Sequence, residues 1–424
     1  MKALKSRALK SRPLKRRLAL ALALSAALCL TGPAAAAPEA CKGGLCEGRA
    51  LVPFLRVLRT ARSRPVHILQ IGDSHTANDN FAGAWRDILQ ARYGDAGRGV
   101  LPPGRPWAGY AMRQVSVSQS PNWSQQTVLT ARKAGGDAIF GVSGFRLSAP
   151  PAGGELTLQA ENGHAFRRFV VCAASGPTAG VMTLSLGGQA ASVQLRAQQT
   201  GALCSSLTAD APTTAATVTA GAGVDLLSWG VFSGQPGVVV SNLGVTSSEL
   251  VTMGLNGDEA LSAELAAYAP DLIVLAYGTN EGFHSAFSSA DTEAVLRAQI
   301  ARLRRLAPGT PILLLAAPDA QSKNRASLAN SDQGHRARLG ADGWFSPPAL
   351  EDVRVVQRRV AASEHVALWD WGVRMGGVGS ARTWVSAGLM HADHVHYTPL
   401  GGQRLAERLQ ADLDALCKAA CGKS

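Results

Sequence analysis

The sequence predicts an α/β protein whose parallel sheet is interrupted by an inserted all-β sandwich domain. Short apolar runs alternate with helical patterns near the start and again in the second half, as expected for parallel strands covered by helices. Between these parts, residues 111–233 contain short alternating runs separated by turns rich in glycine, serine and proline, which is typical of a β-sandwich. The chain has 424 residues, 46% hydrophobic and 17% charged, so it can bury a sizeable core.

Residues 1–37 are predicted to be a secretory signal peptide. Eight lysines and arginines between Lys2 and Arg17 precede an apolar run over residues 18–30, and small residues follow at 34–37. An uncleaved anchor is the alternative, but the run is short for a membrane span. Removing the eight basic residues lowers the formal charge from +12 to +4. We expect a periplasmic or secreted protein, with no nucleic-acid partner and no stable membrane insertion after cleavage.

The first part of the α/β domain is predicted over residues 38–110. An apolar strand over residues 66–71 ends at Gly72, and residues 80–93 have the apolar spacing of a helix. This order of strand, loop and helix starts an α/β unit.

The inserted domain, residues 111–233, is predicted to consist of short strands. The clearest alternating runs cover residues 155–159, 168–173, 181–186, 191–196, 215–219 and 225–231. Because α/β patterns flank the insertion, its two ends should lie close in space.

The second part of the α/β domain is predicted over residues 234–424. Apolar runs predict strands at residues 238–240, 271–277, 311–317 and 366–369. Amphipathic patterns predict helices at residues 257–268, 292–306, 353–363 and 400–416.

Six cysteines remain after the signal peptide, and an even number in an exported chain indicates disulfides. Proximity in the sequence favours the pairs Cys41–Cys46, Cys172–Cys204 and Cys417–Cys421, although six cysteines allow other pairings. Zinc is the alternative, but the two end pairs lack the usual two-residue spacing and no histidine flanks them.

Four short segments place reactive residue types at predicted strand ends or in the last loop. They are Gly72-Asp73-Ser74-His75, Asn242-Leu243-Gly244, Gly278-Thr279-Asn280-Glu281 and Asp393-His394-Val395-His396. Ligands bind outside the carboxyl ends of parallel strands, so these segments are expected to meet at one edge of the sheet. Taken alone, each is explained equally well as a turn or a helix cap.

In this order the four segments resemble the consensus blocks of the SGNH hydrolase superfamily, whose members carry GDSL-like motifs. The resemblance spans residues 72–396 and flanks the insertion. It implies a three-layer α/β/α hydrolase domain with a parallel sheet, and hydrolysis of esters through an acyl-enzyme.

The resemblance assigns a role to each reactive residue. Ser74 would be the nucleophile, His396 the base that takes its proton, and Asp393 the residue that orients and stabilises the imidazole. The backbone N–H groups of Ser74 and Gly244 and the amide of Asn280 would form an oxyanion hole, where one donor is worth about 3–4 kcal/mol. No cofactor or metal is expected. Because His396 must be neutral to accept a proton, activity should fall at low pH.

Within the superfamily, the chain is most similar to the peptidoglycan O-acetylesterases of Gram-negative periplasms. The similar segments are residues 72–75, 234–245, 278–281 and 393–402. That family inserts a β-sandwich, resembling a carbohydrate-binding module, between its first and second blocks, where residues 111–233 lie here. The resemblance implies an O-acetylated glycan as substrate, with the O-acetyl group on muramic acid of peptidoglycan foremost. Trp369, Trp371 and Trp384 are candidates for stacking on sugar rings, and core packing is the alternative expected for at least one of them, since Trp369 ends a predicted strand.

Other functions stay open at this point. The cluster His391, Asp393, His394 and His396 has residue types that bind metals, but a metalloenzyme leaves the serine, glycine and asparagine segments unexplained. An acetyltransferase would use the same triad with a sugar hydroxyl as acceptor. The remaining alternatives are an acetylesterase for another polysaccharide and a glycan-binding protein without activity. His75 and His284 are expected near the site without a catalytic role.

Overall fold

The protein is seen in a computed structural model that describes residues 41, 43–134 and 138–422. The predicted signal peptide lies outside the described residues. The strands are β1 (Leu45–Cys46), β2 (Pro65–Gly72), β3 (Gly99–Leu101), β4 (Val115–Gln119), β5 (Ser124–Thr127), β6 (Phe145–Ser148), β7 (Gly154–Ala160), β8 (Phe166–Ser175), β9 (Val181–Leu186), β10 (Gln189–Gln194), β11 (Gly201–Thr213), β12 (Ala215–Ala220), β13 (Asp225–Phe232), β14 (Gly237–Gly244), β15 (Leu272–Ala276), β16 (Ile312–Leu315) and β17 (Ala367–Trp369).

Twelve helices connect or cover these strands within the described part of the chain. They are α1 (Val52–Leu58), α2 (Ser74–Ala77), α3 (Phe81–Tyr93), α4 (Val128–Ala134), α5 (Leu250–Met253), α6 (Asp258–Tyr268), α7 (Thr279–Phe283), α8 (Ser289–Leu306), α9 (Pro348–Glu364), α10 (Trp371–Met375), α11 (Ser380–Ser386) and α12 (Pro399–Ala420). Of these helices, none is long and apolar enough to span a membrane.

The central sheet has the strand order β1-β17-β16-β15-β2-β14. Its neighbours run parallel, except that the two-residue edge strand β1 is antiparallel to β17. Alternate residues of β2 face opposite sides. Val66 and Ile68 pack with α1, α3 and α12, whereas Leu69 and Ile71 pack with α6, α8 and α9. The predicted α/β/α layering is therefore confirmed.

The predicted strands and helices of the α/β part are all present, with differences at their ends. The helix predicted from residue 292 starts at Ser289, because the side chain of Ser288 caps it by accepting the N–H of Asp291 at 3.2 Å. The helix predicted from residue 353 starts at Pro348. A proline fits the first turn of a helix, where its missing N–H has no partner to lose.

Two antiparallel sheets pack face to face in the β-rich block. One has the order β10-β9-β12-β7-β4, and the other has the order β11-β8-β13-β6-β5, with β3 paired to β13. Their shared core includes Leu158 and Leu184 from the first sheet and Phe169 and Trp229 from the second. The six predicted strands are present, and β3, β4, β5, β6 and β11 were not predicted. The division at residues 111 and 233 stays a prediction, and β3 lies upstream of it.

The β-rich block contacts the outer edge of β14 through buried polar groups. Ser241 accepts the backbone N–H of Val100 at 2.7 Å, and the Oδ1 of Asn242 accepts from Arg98 at 2.8 Å. A buried hydrogen bond is worth most where water cannot compete for its partners. These bonds fix the block beside the carboxyl end of β14.

The three predicted disulfides are confirmed: Cys41–Cys46, Cys172–Cys204 and Cys417–Cys421. Cys172 and Cys204 lie opposite each other in the paired strands β8 and β11. The third pair links the last turn of α12 to Cys421 directly after it.

We predict that replacing Cys172 and Cys204 together by serine lowers the free energy of unfolding by about 3–4 kcal/mol, because this disulfide closes a long loop. Its cysteines are 32 positions apart. The measurement is urea unfolding of the wild type and of the variant with serine at both Cys172 and Cys204. The matched control replaces Cys417 and Cys421, which are 4 positions apart, and should have a smaller effect. An equal or larger effect in the control would contradict the loop-closure argument.

Candidate active site

Ser74 lies directly beyond the carboxyl end of β2, in the middle of the central sheet. Asp73 caps the short helix α2 by accepting the N–H of His75 at 2.9 Å. This turn leaves Ser74 partly exposed, while Asp73 and His75 on either side are buried. The local fold therefore presents a hydroxyl at the sheet edge where ligands of open α/β sheets bind.

A chain of two hydrogen bonds joins Ser74 to the loop before α12. The Nε2 of His396 lies 2.9 Å from the hydroxyl of Ser74, and its Nδ1 lies 2.7 Å from Oδ2 of Asp393. With Nδ1–H donated to Asp393, Nε2 is free to accept the proton of Ser74. The structure thus brings together the three residues that the sequence assigns to a triad.

The carboxylate of Asp393 is held by its own loop. Its Oδ1 accepts the backbone N–H groups of Val395 at 2.9 Å and His396 at 3.0 Å. Burial alone would raise the pKa of Asp393, but the hydrogen bonds from His396 and the two backbone groups outweigh it and hold that pKa below its usual range. Asp393 therefore stays ionised and faces the imidazole with a negative charge.

The loop is also supported from outside by His394. This residue adopts a left-handed backbone conformation with φ 59°. Its ring stacks on Trp344 with centroids 3.9 Å apart, and its Nδ1 lies 2.7 Å from Oε1 of Gln321. These contacts bury His394.

Three strand ends meet beside Ser74 because β15, β2 and β14 are neighbours in register. Gly244 lies opposite Gly72, and Gly72 lies opposite Ala276. Asn280 follows four residues after Ala276, in α7, and its amide donates to the carbonyl of Ser248 at 2.8 Å. That bond fixes the plane of the amide, whose nitrogen carries a second hydrogen.

Gly244 is buried, and the turn that carries Ser74 requires a glycine there. A side chain at this position would run into the backbone nitrogen of Ala77 and the carbonyl oxygen of Asp73. The close approach of β14 to the turn explains the residue type. It is a packing constraint as well as a way to bring an N–H group near the hydroxyl.

Ser247 is a residue of this region that the sequence analysis did not identify. It is exposed, and its φ of 63° lies in the left-handed region, which serine rarely adopts. Its neighbour Ser248 is fixed by a 2.7 Å bond from its hydroxyl to the carbonyl of Val245. No sequence signal marks this conformation, because glycine is the usual residue there.

The structure separates the residues of the metal alternative. His391 is exposed, His394 points to Gln321, and Asp393 and His396 bind each other. Among residues 41, 43–134 and 138–422, no three histidine, cysteine, aspartate or glutamate side chains are grouped to hold a metal ion.

The prediction that these tryptophans stack on sugar rings is wrong, and the alternative of core packing holds for all three. Trp369, Trp371 and Trp384 are buried in the core between the sheet, α3 and α12. Trp371 packs edge-on against Phe81 with ring centroids 4.9 Å apart. Their aromatic surface is used for packing and has no face open to a sugar ring.

A cavity of about 270 Å³ is lined by Glu281, the residue that follows Asn280 in the chain. Its walls include Glu281 of α7, His284 directly after α7, and Phe287 before α8. Arg132, from α4 of the β-rich block, also lines it. His284 forms an ion pair with Glu249 at 2.8 Å when it is protonated. Burial raises the pKa of Glu281 to about 8, so its carboxyl is neutral at pH 7.

Comparisons with known proteins identify related proteins by sequence and by fold. The model of the GDSL-like lipase/acylhydrolase family matches residues 202–404. A solved structure described as a peptidoglycan O-acetylesterase in action has 28% sequence identity and a TM-score of 0.71, covering 87% of this chain and 97% of its own. Among curated proteins, none matches the chain significantly.

More distant structures match with much lower scores. A family two carbohydrate esterase from Clostridium thermocellum has 12% identity and a TM-score of 0.28, covering 64% of this chain and 94% of its own. A protein from Lactobacillus plantarum has 17% identity and a TM-score of 0.31, covering 42% of this chain and 81% of its own. No conclusion rests on these two. From the family match, the first structural match and the α/β/α fold, we conclude that the chain carries a GDSL-like lipase/acylhydrolase domain of the SGNH hydrolase type.

Proposed function

We propose that this protein is an exported serine esterase that removes O-acetyl groups from cell-wall glycan through an acetyl-enzyme on Ser74. The observation that carries the proposal is the hydrogen-bonded chain from Ser74 through His396 to Asp393. A serine hydroxyl is inert at its own pKa and becomes a nucleophile when a neighbouring base accepts its proton.

The reaction has two halves that use the same base. Ser74 Oγ attacks the acetyl carbonyl while His396 Nε2 takes its proton, and the sugar oxygen leaves with that proton. Water then gives a proton to His396 and attacks the acetyl group on Ser74, and acetate leaves as Ser74 regains its proton. Asp393 stabilises the imidazolium that forms in each half.

The tetrahedral intermediate carries a negative oxygen that needs hydrogen-bond donors. We assign these to the backbone N–H of Ser74, the amide of Asn280 and a backbone N–H at the end of β14. Gly244 is the residue that the family resemblance indicates, and Ser247 is the more exposed residue in the segment that follows β14.

Peptidoglycan is the substrate we propose. The solved peptidoglycan O-acetylesterase matches along 87% of this chain, which includes most of the β-rich block as well as the α/β part. The predicted signal peptide and the three disulfides fit a periplasmic or secreted location. The O-acetyl group on muramic acid is then the ester that reaches Ser74.

The cavity lined by Glu281 supports a glycan substrate. At about 270 Å³ it exceeds what an acetyl group fills, and Glu281 directly follows the proposed oxyanion donor Asn280 in the chain. Arg132 places a positive charge on its rim, and the β-rich block supplies that residue. We propose that the cavity receives part of the polymer, with Arg132 facing a carboxylate of peptidoglycan.

An O-acetyltransferase is the second candidate, because the acetyl-enzyme is the same and only the acceptor differs. The exposure of His396 and Asp393, whose side chains are 37% and 47% accessible, favours water as the acceptor. Product analysis with an acetyl donor and excess glycan separates the two. Acetylated glycan in excess of free acetate would favour the transferase.

We predict that Ser74→Ala abolishes acetate release from O-acetylated peptidoglycan, with a loss of at least about 10⁴-fold. Asn280→Ala should lower kcat by about 10²–10³-fold, because one oxyanion donor is lost while the nucleophile remains. Acetate release and circular dichroism are measured for both variants. Turnover by Ser74→Ala at the wild-type rate would contradict the serine mechanism.

We predict that Gly244→Ala lowers kcat on the order of 100-fold, because the added methyl displaces the turn that carries Ser74. The matched control is Gly201→Ala in β11, where the nearest atom is the hydroxyl oxygen of Ser175 at 3.6 Å. Esterase rates with p-nitrophenyl acetate and thermal unfolding are measured for both. A Gly244→Ala protein that is as active as the control would show that the turn tolerates the methyl.

We predict that Arg132→Ala raises KM for O-acetylated peptidoglycan by up to about 5-fold, the size expected for one exposed charge contact. KM for acetylated xylan, which lacks peptide carboxylates, should change less. Arg196→Ala is the control, since Arg196 is exposed in the β-rich block and does not line the cavity. Equal KM changes for both polymers would contradict the carboxylate contact.

A further inference from the structure

His75 lies beneath the active site and touches both of its halves. It is buried, with 1% of its surface exposed. Its Nδ1 is 3.2 Å from Oδ1 of Asp73, which belongs to the same turn as Ser74. Its Nε2 is 2.9 Å from the carbonyl oxygen of Val395, in the loop that carries Asp393 and His396. The ring therefore bridges two segments that are 320 positions apart in the chain.

The two hydrogen-bond partners of the His75 ring determine how many protons the ring must carry. A carbonyl oxygen only accepts hydrogen bonds, so the bond to Val395 needs a hydrogen on Nε2. A carboxylate oxygen also only accepts, so the bond to Asp73 needs a hydrogen on Nδ1. A neutral imidazole has one hydrogen and would leave a lone pair facing an oxygen at one end. Both bonds form together when the ring is an imidazolium.

We propose that His75 is a positioning residue whose doubly protonated ring ties the turn of Ser74 to the loop of Asp393 and His396. The inference rests on the proposed function, because it takes Ser74 and His396 as the reacting pair. His75 touches neither the ester nor the transferred proton. It acts by fixing the distance over which Ser74 gives its proton to His396.

The groups that surround His75 favour its positive charge. Asp73 faces it from its own turn, and the carboxylate of Asp393 lies in the adjacent loop. From the same loop, the rings of His396 and Tyr397 approach to 5.5 Å and 5.0 Å between centroids. Trp371 of α10 approaches to 5.9 Å and carries no charge. A protonated His396 is thus the one cation facing the ring among these neighbours.

The pKa of His75 supports the proposal. Burial would lower it, but the hydrogen bond and the charge of Asp73, with the carbonyl of Val395, outweigh burial and raise it above its usual value. A histidine with a raised pKa contributes stability at low pH, which is lost as pH rises through the folded pKa. The bridge therefore has both hydrogen bonds at pH values below the folded pKa of His75 and loses one of them at pH values above it.

Two histidines then limit activity from opposite sides. His396 must be neutral to accept the proton of Ser74, so its protonation gives the acid limb of the pH profile. His75 must be protonated to hold the bridge, so its deprotonation gives an alkaline limb. If His75 had only a structural role, removing the charge of Asp73 would not move the alkaline limb of the pH profile.

The test compares Asp73→Asn, His75→Ala and the wild type. Asparagine keeps the cap on α2 but removes the charge, so the alkaline limb should move to lower pH. His75→Ala should lower kcat on the order of 100-fold, the size expected for a small misplacement of reacting groups, and should lose the alkaline limb. Rates use 4-methylumbelliferyl acetate, corrected for spontaneous hydrolysis. His164→Ala is the control. His164 pairs with Asp95 at a distance of 2.7 Å, and neither residue belongs to the triad.

A second measurement does not depend on turnover. In the wild type with ¹⁵N-labelled histidine, the nitrogen shifts of His75 at about pH 7, above the usual histidine pKa, should be those of an imidazolium. A single-tautomer neutral ring at that pH would overturn the proposal, and so would an alkaline limb at the same pH in Asp73→Asn. These results leave the serine mechanism standing, whereas full activity of Ser74→Ala removes the mechanism and leaves the proton count of His75 unaffected.

Discussion

The structure depends on holding the hydroxyl of Ser74 2.9 Å from Nε2 of a histidine 322 positions away. Proton transfer slows by about 100-fold when this distance opens by about an ångström, so both segments must be fixed to one rigid support. The support is the start of α12 packed on the start of α3. Gly402 has no room for a side chain against the backbone of Asn80, and the amide of Asn80 donates to the carbonyl of Tyr397 at 2.8 Å.

The parallel sheet holds the other residues of the active site in place relative to Ser74. Because β15, β2 and β14 are adjacent and in register, the residues beyond their carboxyl ends meet without any long loop. The β-rich block enters the chain between β2 and β14, two strands that pair directly. The block rejoins the sheet at Gly237, opposite Pro65 and therefore at the other end of β2 from Ser74. Its helix α4 supplies Arg132 to the cavity lined by Glu281.

The sequence predicts the α/β/α fold because buried parallel strands are nearly continuous apolar runs, as in β2 and β15. It predicts the triad through the resemblance to the SGNH superfamily, whose blocks appear here in the same order at strand ends and in the last loop. It does not predict β11, because most of that strand is exposed or half-exposed and its polar residues hide the alternation. The bridge of His75 and the backbone of Ser247 are equally hidden, since one depends on a partner distant in sequence and the other on an unusual φ for serine. The tryptophans mislead for the opposite reason, because residue type alone cannot distinguish a stacking platform from a core side chain.

The central claim is that acetate leaves a glycan by way of Ser74. It is tested most directly by mixing the protein with O-acetylated peptidoglycan, quenching in acid within the first turnover and locating acetyl groups by peptide mass spectrometry. The account predicts acetyl on the peptide that contains Ser74, appearing before free acetate reaches its steady rate. Free acetate formed at that rate with no acetyl on Ser74 at any quench time would contradict it.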